Sequence, residues 1–199
     1  MKKRVQARVW TTKTYDRLSR YYDTFMKVLF PVGERGRERV VEKLGSGTVL
    51  DVACGTGTLL ALAAGKGLNC YGLDLSAGML AQARRKVPAA KIERASYYRL
   101  PFPDNCFDYV VATNALSGEF IDAKSVLAEM IRVCKNGGAI YIAEWPKATV
   151  DTFLERLVVS LAKLNDDAPQ DYLKIFGQLG YEPDVEVLDD RYHVLGIRK

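Results

Sequence analysis

Two acidic residues and two glycines in the segment 49–76 have types and a spacing that could hold a charged ligand. Asp51 lies in the run VLDVACGTGTLL (49–60), four residues before Gly55, and Asp74 ends a second apolar run in YGLDLS (71–76). A carboxylate at Asp51 would repel a phosphate and attract an ammonium group. Asp74 is placed to accept hydrogen bonds from the two hydroxyls of a ribose. The pattern indicates a ligand that carries a cation and an unphosphorylated ribose.

Other ligands of glycine-rich turns fit this pattern less well. A dinucleotide fingerprint needs a third glycine three residues after Gly57, where this chain has Leu60. A phosphate loop would end in Gly-Lys-Ser/Thr, which the turn does not. S-adenosylmethionine carries an amino group and a ribose without phosphate, and the glycines would let the backbone approach it closely. The joint spacing of acids and glycines disfavours the alternative that both acids are ordinary strand-end residues.

The elements around these residues alternate between strand and helix. Helices are predicted over 58–67, over 77–86 with Ser76 as N-cap, over 123–134 with Asp122 as N-cap and KNGG as the stop, and over 168–180. The predicted strands are 48–53, 69–74, 91–95, 108–113, 139–144, 184–189 and 192–199. The last two strands are separated by so few residues that they must be antiparallel. The sequence therefore predicts a mostly parallel sheet that binds its ligand at the carboxyl ends of the strands.

Two segments lie outside this alternating core. Residues 1–43 are expected to be helical, with apolar residues at helical spacing, and residues 149–165 are expected to form an inserted helix. Both segments are candidate lids over the carboxyl edge of the sheet. The whole chain, 1–199, is expected to form a single domain.

Four stretches together resemble successive motifs of class I S-adenosylmethionine-dependent methyltransferases. They are VLDVACGTGTLL, GLDLSAGMLAQAR, LPFPDNCFDYVVATNAL and MIRVCKNGGAIYIAE. Within this family, the chain resembles the ubiquinone- and menaquinone-biosynthesis methyltransferases and the bacterial phosphatidylethanolamine N-methyltransferases. The resemblance implies an α/β, Rossmann-like fold with a seven-stranded, mostly parallel sheet, an antiparallel last strand and helices on both faces. It also implies an enzyme that converts S-adenosylmethionine to S-adenosylhomocysteine.

Position by position, the resemblance also implies a cofactor site. Asp51, Gly55 and Gly57 would hold the methionine end, Asp74 the ribose, and Leu75 and Met79 the adenine. The full set of expected cofactor residues is Tyr22, Asp51, Ala53, Gly55, Thr56, Gly57, Asp74, Leu75, Met79, Ser96, Tyr97 and Asn114.

The chain departs from many relatives at two places. Ser96 stands where they have an acid that contacts the adenine amino group, and Ser117 stands where they have a histidine after the fourth strand. Methyl transfer to carbon, nitrogen, oxygen or sulfur is an in-line displacement that needs a base only if the acceptor must lose a proton. His193, Tyr15, Tyr21 and Asp122 are weak candidates for such a base, and none is assigned. Neither a metal ion nor a metal site is expected.

Charge and composition guide the expectations about partners. The net charge is +5, and residues 1–43 alone carry 12 Lys/Arg against 5 Asp/Glu. The inserted helix either packs on the core or lines the acceptor pocket, and in the second case its apolar face favours a small apolar or lipid-like acceptor, such as a quinone. The basic segment is favoured to be a solvated helix face, and with an apolar acceptor it would instead support peripheral contact with an anionic membrane. The alternatives are an RNA or protein methyltransferase that uses the basic segment, although nucleic acid is disfavoured, and a non-catalytic cofactor-binding protein. The sparse cysteines and the lack of a signal peptide favour a cytoplasmic location.

Overall fold

The computed structural model describes residues 12–29, 31–117, 121–144, 170–188 and 192–199. The predicted inserted helix at 149–165 and the first 11 residues of the predicted lid lie outside this part of the chain. The described strands are Thr48–Val52 (β1), Asn69–Asp74 (β2), Lys91–Arg94 (β3), Phe107–Thr113 (β4), Cys134–Glu144 (β5), Asp184–Leu188 (β6) and Tyr192–Arg198 (β7).

Seven helices are described, and the long sequence-predicted helical segment 1–43 contains three of them. Their bounds are Thr12–Leu18 (α1), Tyr22–Leu29 (α2), Pro31–Lys43 (α3), Thr58–Gly65 (α4), Ala77–Lys86 (α5), Ala123–Val133 (α6) and Tyr172–Gln178 (α7). The expected caps are confirmed: Ser76 accepts a hydrogen bond from the Met79 backbone, and Asp122 accepts one from the Ser125 backbone. Among the described helices, none combines the length and apolar character needed to cross a bilayer.

The described strands form one sheet in the order β3-β2-β1-β4-β5-β7-β6. β7 runs antiparallel to both of its neighbours, whereas the pairs among β1 to β5 are parallel. The predicted mostly parallel sheet with a reversed last strand is therefore confirmed. β1 and β4 are adjacent at its centre, where the strand order changes direction, and ligands of open α/β sheets bind at the carboxyl ends beside such a point.

Buried apolar residues cover both faces of the sheet, as predicted. On one face, Val126 and Met130 of α6 pack with Phe176 of α7 over the inner side chains of β4 and β5. On the other face, Val40 of α3 and Leu60 of α4 belong to a second cluster with Val49 and Val111. Burial of this kind is the main stabilising contribution to the fold.

The predicted start of β5 at residue 139 is wrong. The strand begins at Cys134, directly after α6, and KNGG lies within it. Cys134 pairs with Phe107, and the register then shifts, so that Tyr109 pairs with Ala139. Gly137 has a φ of 79°, and a Cβ on Gly138 would lie 2.7 Å from the Asp108 carbonyl oxygen. The glycines thus form an irregularity inside the strand rather than a stop before it.

Helix α1 lies so close to α5 that a side chain at Gly78 has no room. A Cβ at that position would lie 2.7 Å from both the Cα and the carbonyl oxygen of Asp16. The Asp16 carboxylate in turn accepts a hydrogen bond from the Gly78 backbone at 2.8 Å. The absence of a side chain at Gly78 therefore allows α1 to dock on the first turn of α5.

We predict that Gly78→Ala releases α1 while leaving α5 intact. Alanine is the better helix former by about 1 kcal/mol, so α5 itself should not weaken. Trypsin cleavage after Lys13 and Arg17 should accelerate about tenfold, since each loss of about 1.4 kcal/mol raises the undocked population by that factor. Gly65→Ala is the matched control, because a Cβ there meets nothing within 4 Å. Equal cleavage rates in both variants would contradict this account of the α1 contact.

Candidate functional site

The turn after β1 reverses the chain by means of three residues in the left-handed region. Ala53, Gly55 and Gly57 have φ values of 59°, 53° and 77°, respectively. A Cβ on Gly57 would lie 3.0 Å from the Cβ of Ala83 in α5, so this position has neither the conformation nor the space for a side chain. The turn consequently brings bare backbone to the carboxyl edge of the sheet, where the N-terminus of α4 begins.

Asp51 is buried directly beneath this turn. It is 2% exposed, and its Oδ1 has no hydrogen-bond partner within the described part of the chain. Burial raises the pKa of Asp51 to about 8, against the opposing effect of Arg37 and with a further rise caused by Asp74. A buried carboxyl group with an unused oxygen is costly unless a ligand compensates it. An ammonium group would supply both the hydrogen bond and the charge.

Asp74 ends β2 and points at the same turn. Its Oδ2 accepts a hydrogen bond from the Gly55 backbone at 3.0 Å, and its Oδ1 accepts one from the Ser76 backbone at 2.8 Å. Burial raises the pKa of Asp74, although these hydrogen bonds lower it in part. Each oxygen can still accept another hydrogen bond, so the carboxylate, fixed by the two backbone N–H groups, could bind two neighbouring hydroxyls of a ligand.

Helices α1 and α2 contact this site through one carboxylate each. Asp16 of α1 accepts hydrogen bonds from the Ser76 hydroxyl at 2.6 Å and from the Gly78 backbone. The hydrogen bond from Ser76 is the main reason that the pKa of Asp16 is lowered. Asp23 of α2 accepts hydrogen bonds from the Thr56 hydroxyl at 2.5 Å and from Lys86 at 2.7 Å. Burial alone would raise the pKa of Asp23, but these two donors lower it.

Tyr22 begins α2, next to the Asp23 contact. Its ring packs edge-to-face against Tyr15 of α1, with the ring centroids 6.1 Å apart. Because its neighbour Asp23 accepts the hydrogen bond from Thr56, Tyr22 lies near the turn after β1.

Arg37 is a charged residue of the site that the sequence reasoning missed. Among the described residues it is the one buried basic side chain, and it forms an ion pair with Glu34 at 2.6 Å. Burial raises the pKa of both Asp51 and Tyr192, and the positive charge of Arg37 opposes each rise, so Arg37 lies within electrostatic reach of both. An arginine on the same helical face as Gly33, Gly36 and Val40 was the available signal, because such a face is otherwise apolar or small.

The segment after β4 is held by residues from β5 and β7. Asn114 has a φ of 52°, and its backbone N–H donates to the carbonyl of Ala143. The buried Glu144 accepts hydrogen bonds through Oε1 from the backbones of Ala115 and Leu116, at 2.5 and 2.8 Å. Sequence reasoning identified Asn114 but not Glu144, which ends the strand that pairs with β4.

The expected adenine side of the site lies next to Asp74. The Ala95 backbone donates to the Asp74 carbonyl, which places Ser96 and Tyr97 beside the end of β2. Leu75 is exposed, and Met79 is buried within the first turn of α5. Tyr97 packs partly against the core, and the Ser96 hydroxyl accepts a hydrogen bond from the Tyr98 backbone.

The weak candidates for a base have other positions or partners. Asp122 caps α6, and Tyr21 on the surface is 71% exposed. Burial lowers the pKa of His193. In the antiparallel register of β5 and β7, His193 lies opposite Glu144. Tyr15 contacts the Tyr22 ring. In the described ranges, no group of three or more His, Cys, Asp or Glu side chains is arranged to hold a metal ion.

Comparisons with known proteins agree with the geometry of the turn and the sheet. The profile of a family described as "Methyltransferase domain" matches residues 50–142. A demethylmenaquinone methyltransferase of Renibacterium salmoninarum is 34% identical, with 87% of this chain and 78% of that protein covered. One of Corynebacterium urealyticum is 33% identical, with 87% and 79% covered.

A solved structure supports the fold independently of close sequence similarity. A SAM-dependent methyltransferase of Thermotoga maritima superimposes with a TM-score of 0.71 at 16% identity, covering 94% of this chain and 98% of that one. The strand order, the turn with its two acids and the similarity over most of the chain lead to one conclusion. The chain belongs to the class I S-adenosylmethionine-dependent methyltransferases, close to the menaquinone-biosynthesis type.

Proposed function

We propose that this enzyme transfers the methyl group of S-adenosylmethionine to a small apolar acceptor of the quinol type and releases S-adenosylhomocysteine. One observation carries the proposal: the buried Asp51 has an oxygen without a partner in the described structure, beside a turn of bare backbone. A sulfonium-bound methyl group is already electrophilic, so alignment and exclusion of water are the main contributions required of the protein.

The cofactor residues expected from the sequence fit this proposal as one site. Asp51 would bind the amino group, Asp74 the ribose hydroxyls, and the backbone of the turn the methionine chain. The remaining members would surround these groups: Tyr22, Ala53, Gly55, Thr56, Gly57, Leu75, Met79, Ser96, Tyr97 and Asn114. Two observations support this placement. Asp51 Oδ1 has no hydrogen-bond partner among the described residues, and both oxygens of Asp74 are oriented by backbone hydrogen bonds.

Arg37 extends the site to the carboxylate of the methionine group. A carboxylate entering beside Asp51 and Asp74 would be repelled unless a cation compensates it. Arg37 is buried and close enough to lower the pKa of Asp51, and its one described ion pair, with Glu34, uses a single guanidinium nitrogen. Arginine has further N–H groups for a second carboxylate.

We propose that α1 and α2 act as a lid within the single domain 1–199. Their contacts through Asp16 and Asp23 go to Ser76, which follows the expected cofactor residue Leu75, and to Thr56, which is itself an expected cofactor residue. Opening these hydrogen bonds would admit the cofactor, and closing them would exclude water during transfer.

The acceptor class rests on the relatives together with the outer face of the lid. The relatives described above are named for demethylmenaquinone, an apolar quinone, which supports this class over RNA or protein. Four large apolar residues are exposed along this segment: Leu18 at the end of α1, Tyr21 in the turn that follows, and Phe25 and Val28 on α2. Arg17, Arg20 and Lys27 accompany these residues, so we propose peripheral contact of a cytoplasmic enzyme with an anionic membrane.

Two variants test the opposite ends of the cofactor's methionine group. Asp51→Asn should weaken S-adenosylhomocysteine binding about 100-fold at pH 8, because it removes the charge that pairs with the ammonium. Arg37→Met should weaken S-adenosylhomocysteine binding but leave the binding of a decarboxylated analogue unchanged. Isothermal titration calorimetry measures both.

The proposed role of Asp51 predicts how the affinity for the ligand changes with pH. Because the folded, ligand-free pKa is about 8, Asp51 must lose its proton before it pairs with the ammonium. Wild-type affinity should therefore fall about tenfold for each pH unit below 8, and Asp51→Asn should abolish this dependence. Without ligand at pH 8, Asp51→Asn should melt at a higher temperature than the wild type. A carboxyl group whose pKa is raised by folding stabilises the folded state while it is protonated, and this stabilisation is lost as the pH rises through the pKa of the folded state. A pH-independent wild-type affinity would contradict the assignment.

The acceptor is tested directly with methyl-labelled S-adenosylmethionine. We expect the purified chain to label a 1,4-naphthohydroquinone that carries a short prenyl side chain and to form S-adenosylhomocysteine in equal amount. Mass spectrometry of the product identifies the methylated atom. The proposal is wrong if the hydroquinone stays unlabelled while RNA or protein from a cell extract takes up the label.

Membrane contact is tested by co-sedimentation with vesicles that contain phosphatidylglycerol. Val28→Asp should reduce binding at least about tenfold, since burying a valine contributes about 1.5 kcal/mol or more. Leu173→Asp is the matched control, because Leu173 is also an exposed apolar residue but lies on α7. Binding that is insensitive to Val28→Asp, or equally sensitive to the control, would exclude this face as the contact.

A further inference from the structure

Lys86 connects α2 to the turn after β1 and to the first turn of α4. It is the last residue of α5, and its ammonium group donates to Asp23 Oδ2 at 2.7 Å and to the Thr58 hydroxyl at 2.9 Å. The Thr56 hydroxyl, which lies 3.4 Å from Lys86 Nζ, donates to Asp23 Oδ1 at 2.5 Å. Both oxygens of the Asp23 carboxylate are therefore bound by side chains of the body of the domain.

The two acids of the proposed lid differ in the charge of their partners. Asp16 of α1 accepts hydrogen bonds from two neutral groups, the Ser76 hydroxyl and the Gly78 backbone. Asp23 forms an ion pair with Lys86, and these two side chains are 41% and 29% exposed. Dissolved ions screen the attraction between partly exposed charges. The contact through α2 should therefore depend on ionic strength more than the contact through α1.

Helix α2 buries little of its apolar surface. None of the side chains described on Tyr22–Leu29 is buried, and Phe25 and Val28 are exposed. The end of α1, in contrast, is followed by the buried Ser19, and the α1 backbone lies directly against Gly78. A helix of 8 residues is too short to be stable alone, so the position of α2 depends strongly on its polar contacts.

We propose that the ion pair between Lys86 and Asp23 is a latch that holds α2 closed over the turn after β1 and limits the exchange of the cofactor. Lys86 would then be a positioning residue, because closing the pair also fixes Tyr22, the neighbour of Asp23, beside this turn. The inference rests on the proposed function, since the latch belongs to the proposed lid of the same site. It names the contact that regulates opening of that lid.

A latch has a kinetic signature that distinguishes it from a ligand contact. The ligand uses the same opening to enter and to leave, so a weaker latch accelerates association and dissociation together and changes Kd less than either rate. Loss of a direct contact with the ligand, or local distortion of the site, would instead accelerate dissociation and weaken affinity to the same extent.

Lys86→Met tests the latch by removing the charge while keeping a long side chain. Surface plasmon resonance with S-adenosylhomocysteine measures both rate constants on the full chain. We expect each to rise about fivefold, the effect of a partly exposed ion pair, with Kd within about twofold of the wild type. Lys86→Arg keeps the charge and should retain rates close to those of the wild type.

Ionic strength tests the same pair without a substitution. Raising the salt concentration from about 0.1 to 1 M shortens the screening length from about 10 to 3 Å. Both rate constants of the wild type should rise toward those of Lys86→Met, and the variant should respond little. Exchange of the charges, Asp23→Lys together with Lys86→Asp, should return the rates toward the wild type, whereas either reversal alone should accelerate exchange.

Lys135→Met is the matched control. Lys135 pairs with Asp108 at 2.7 Å, and the side chains are 41% and 33% exposed, so this ion pair resembles the latch in length and accessibility. It lies at the amino ends of β4 and β5, at the opposite edge of the sheet from the cofactor turn. Its loss should leave both rate constants unchanged.

The contrary results separate the latch from the function. Unchanged rates in Lys86→Met, an equal change in Lys135→Met, or faster dissociation with a matching loss of affinity would overturn the latch and leave the proposed function standing. Failure of the charge exchange to slow the rates would overturn the ion pair as their cause. A wild-type chain that does not bind S-adenosylhomocysteine would overturn both, whereas an unlabelled hydroquinone overturns only the acceptor class.

Discussion

The burial of the Asp51 carboxyl group beneath a turn of bare backbone is the constraint on which the site depends. In the folded chain this group has lost its water and has an oxygen without a partner among the described residues, and burial raises its pKa to about 8. A structure retains such a costly group when a ligand compensates it. In the proposed site, the turn, the neighbouring Asp74 and the buried Arg37 would complement a zwitterion attached to a ribose.

Helices α1 and α2, the proposed lid, contact the residues beside this group of charges. Asp16 accepts a hydrogen bond from Ser76, and Asp23 accepts one from Thr56 within the turn after β1, so the docking of α1 and α2 is coupled to these residues. The same segment exposes large apolar residues beside basic ones. In the proposed function, this one segment would link contact with a membrane, closure over the cofactor and access of the acceptor.

Local patterns were sufficient to predict most of the fold. Alternating apolar runs located the strands, and the side chains of Ser76 and Asp122 located two helix starts, because such caps depend on residues three positions apart. The start of β5 was misplaced because glycines usually end elements, whereas Gly138 here fits against the Asp108 backbone in a neighbouring strand.

The glycine turn between the two acids could be anticipated in the same way, but the long-range contacts beside it could not. Asp51, Gly55 and Asp74 belong to a short segment with a recognisable spacing. The contact between Tyr192 and Asn114 joins residues that are 78 positions apart, and Arg37 reaches the site from a helix that precedes the first strand. Only the packing of α3 across the ends of β4, β5 and β7 brings these groups together, and no local pattern encodes that packing.

The central claim is that Asp51, buried and protonated in the free enzyme, loses its proton to pair with the ammonium group of the cofactor, and the protons exchanged on binding test it most directly. Calorimetric titration with S-adenosylmethionine at pH 6.5, in buffers with different ionisation enthalpies, counts those protons. Our account predicts the release of roughly one proton per site by the wild-type chain and none by Asp51→Asn. Binding without proton release, or the same release from both proteins, would contradict it.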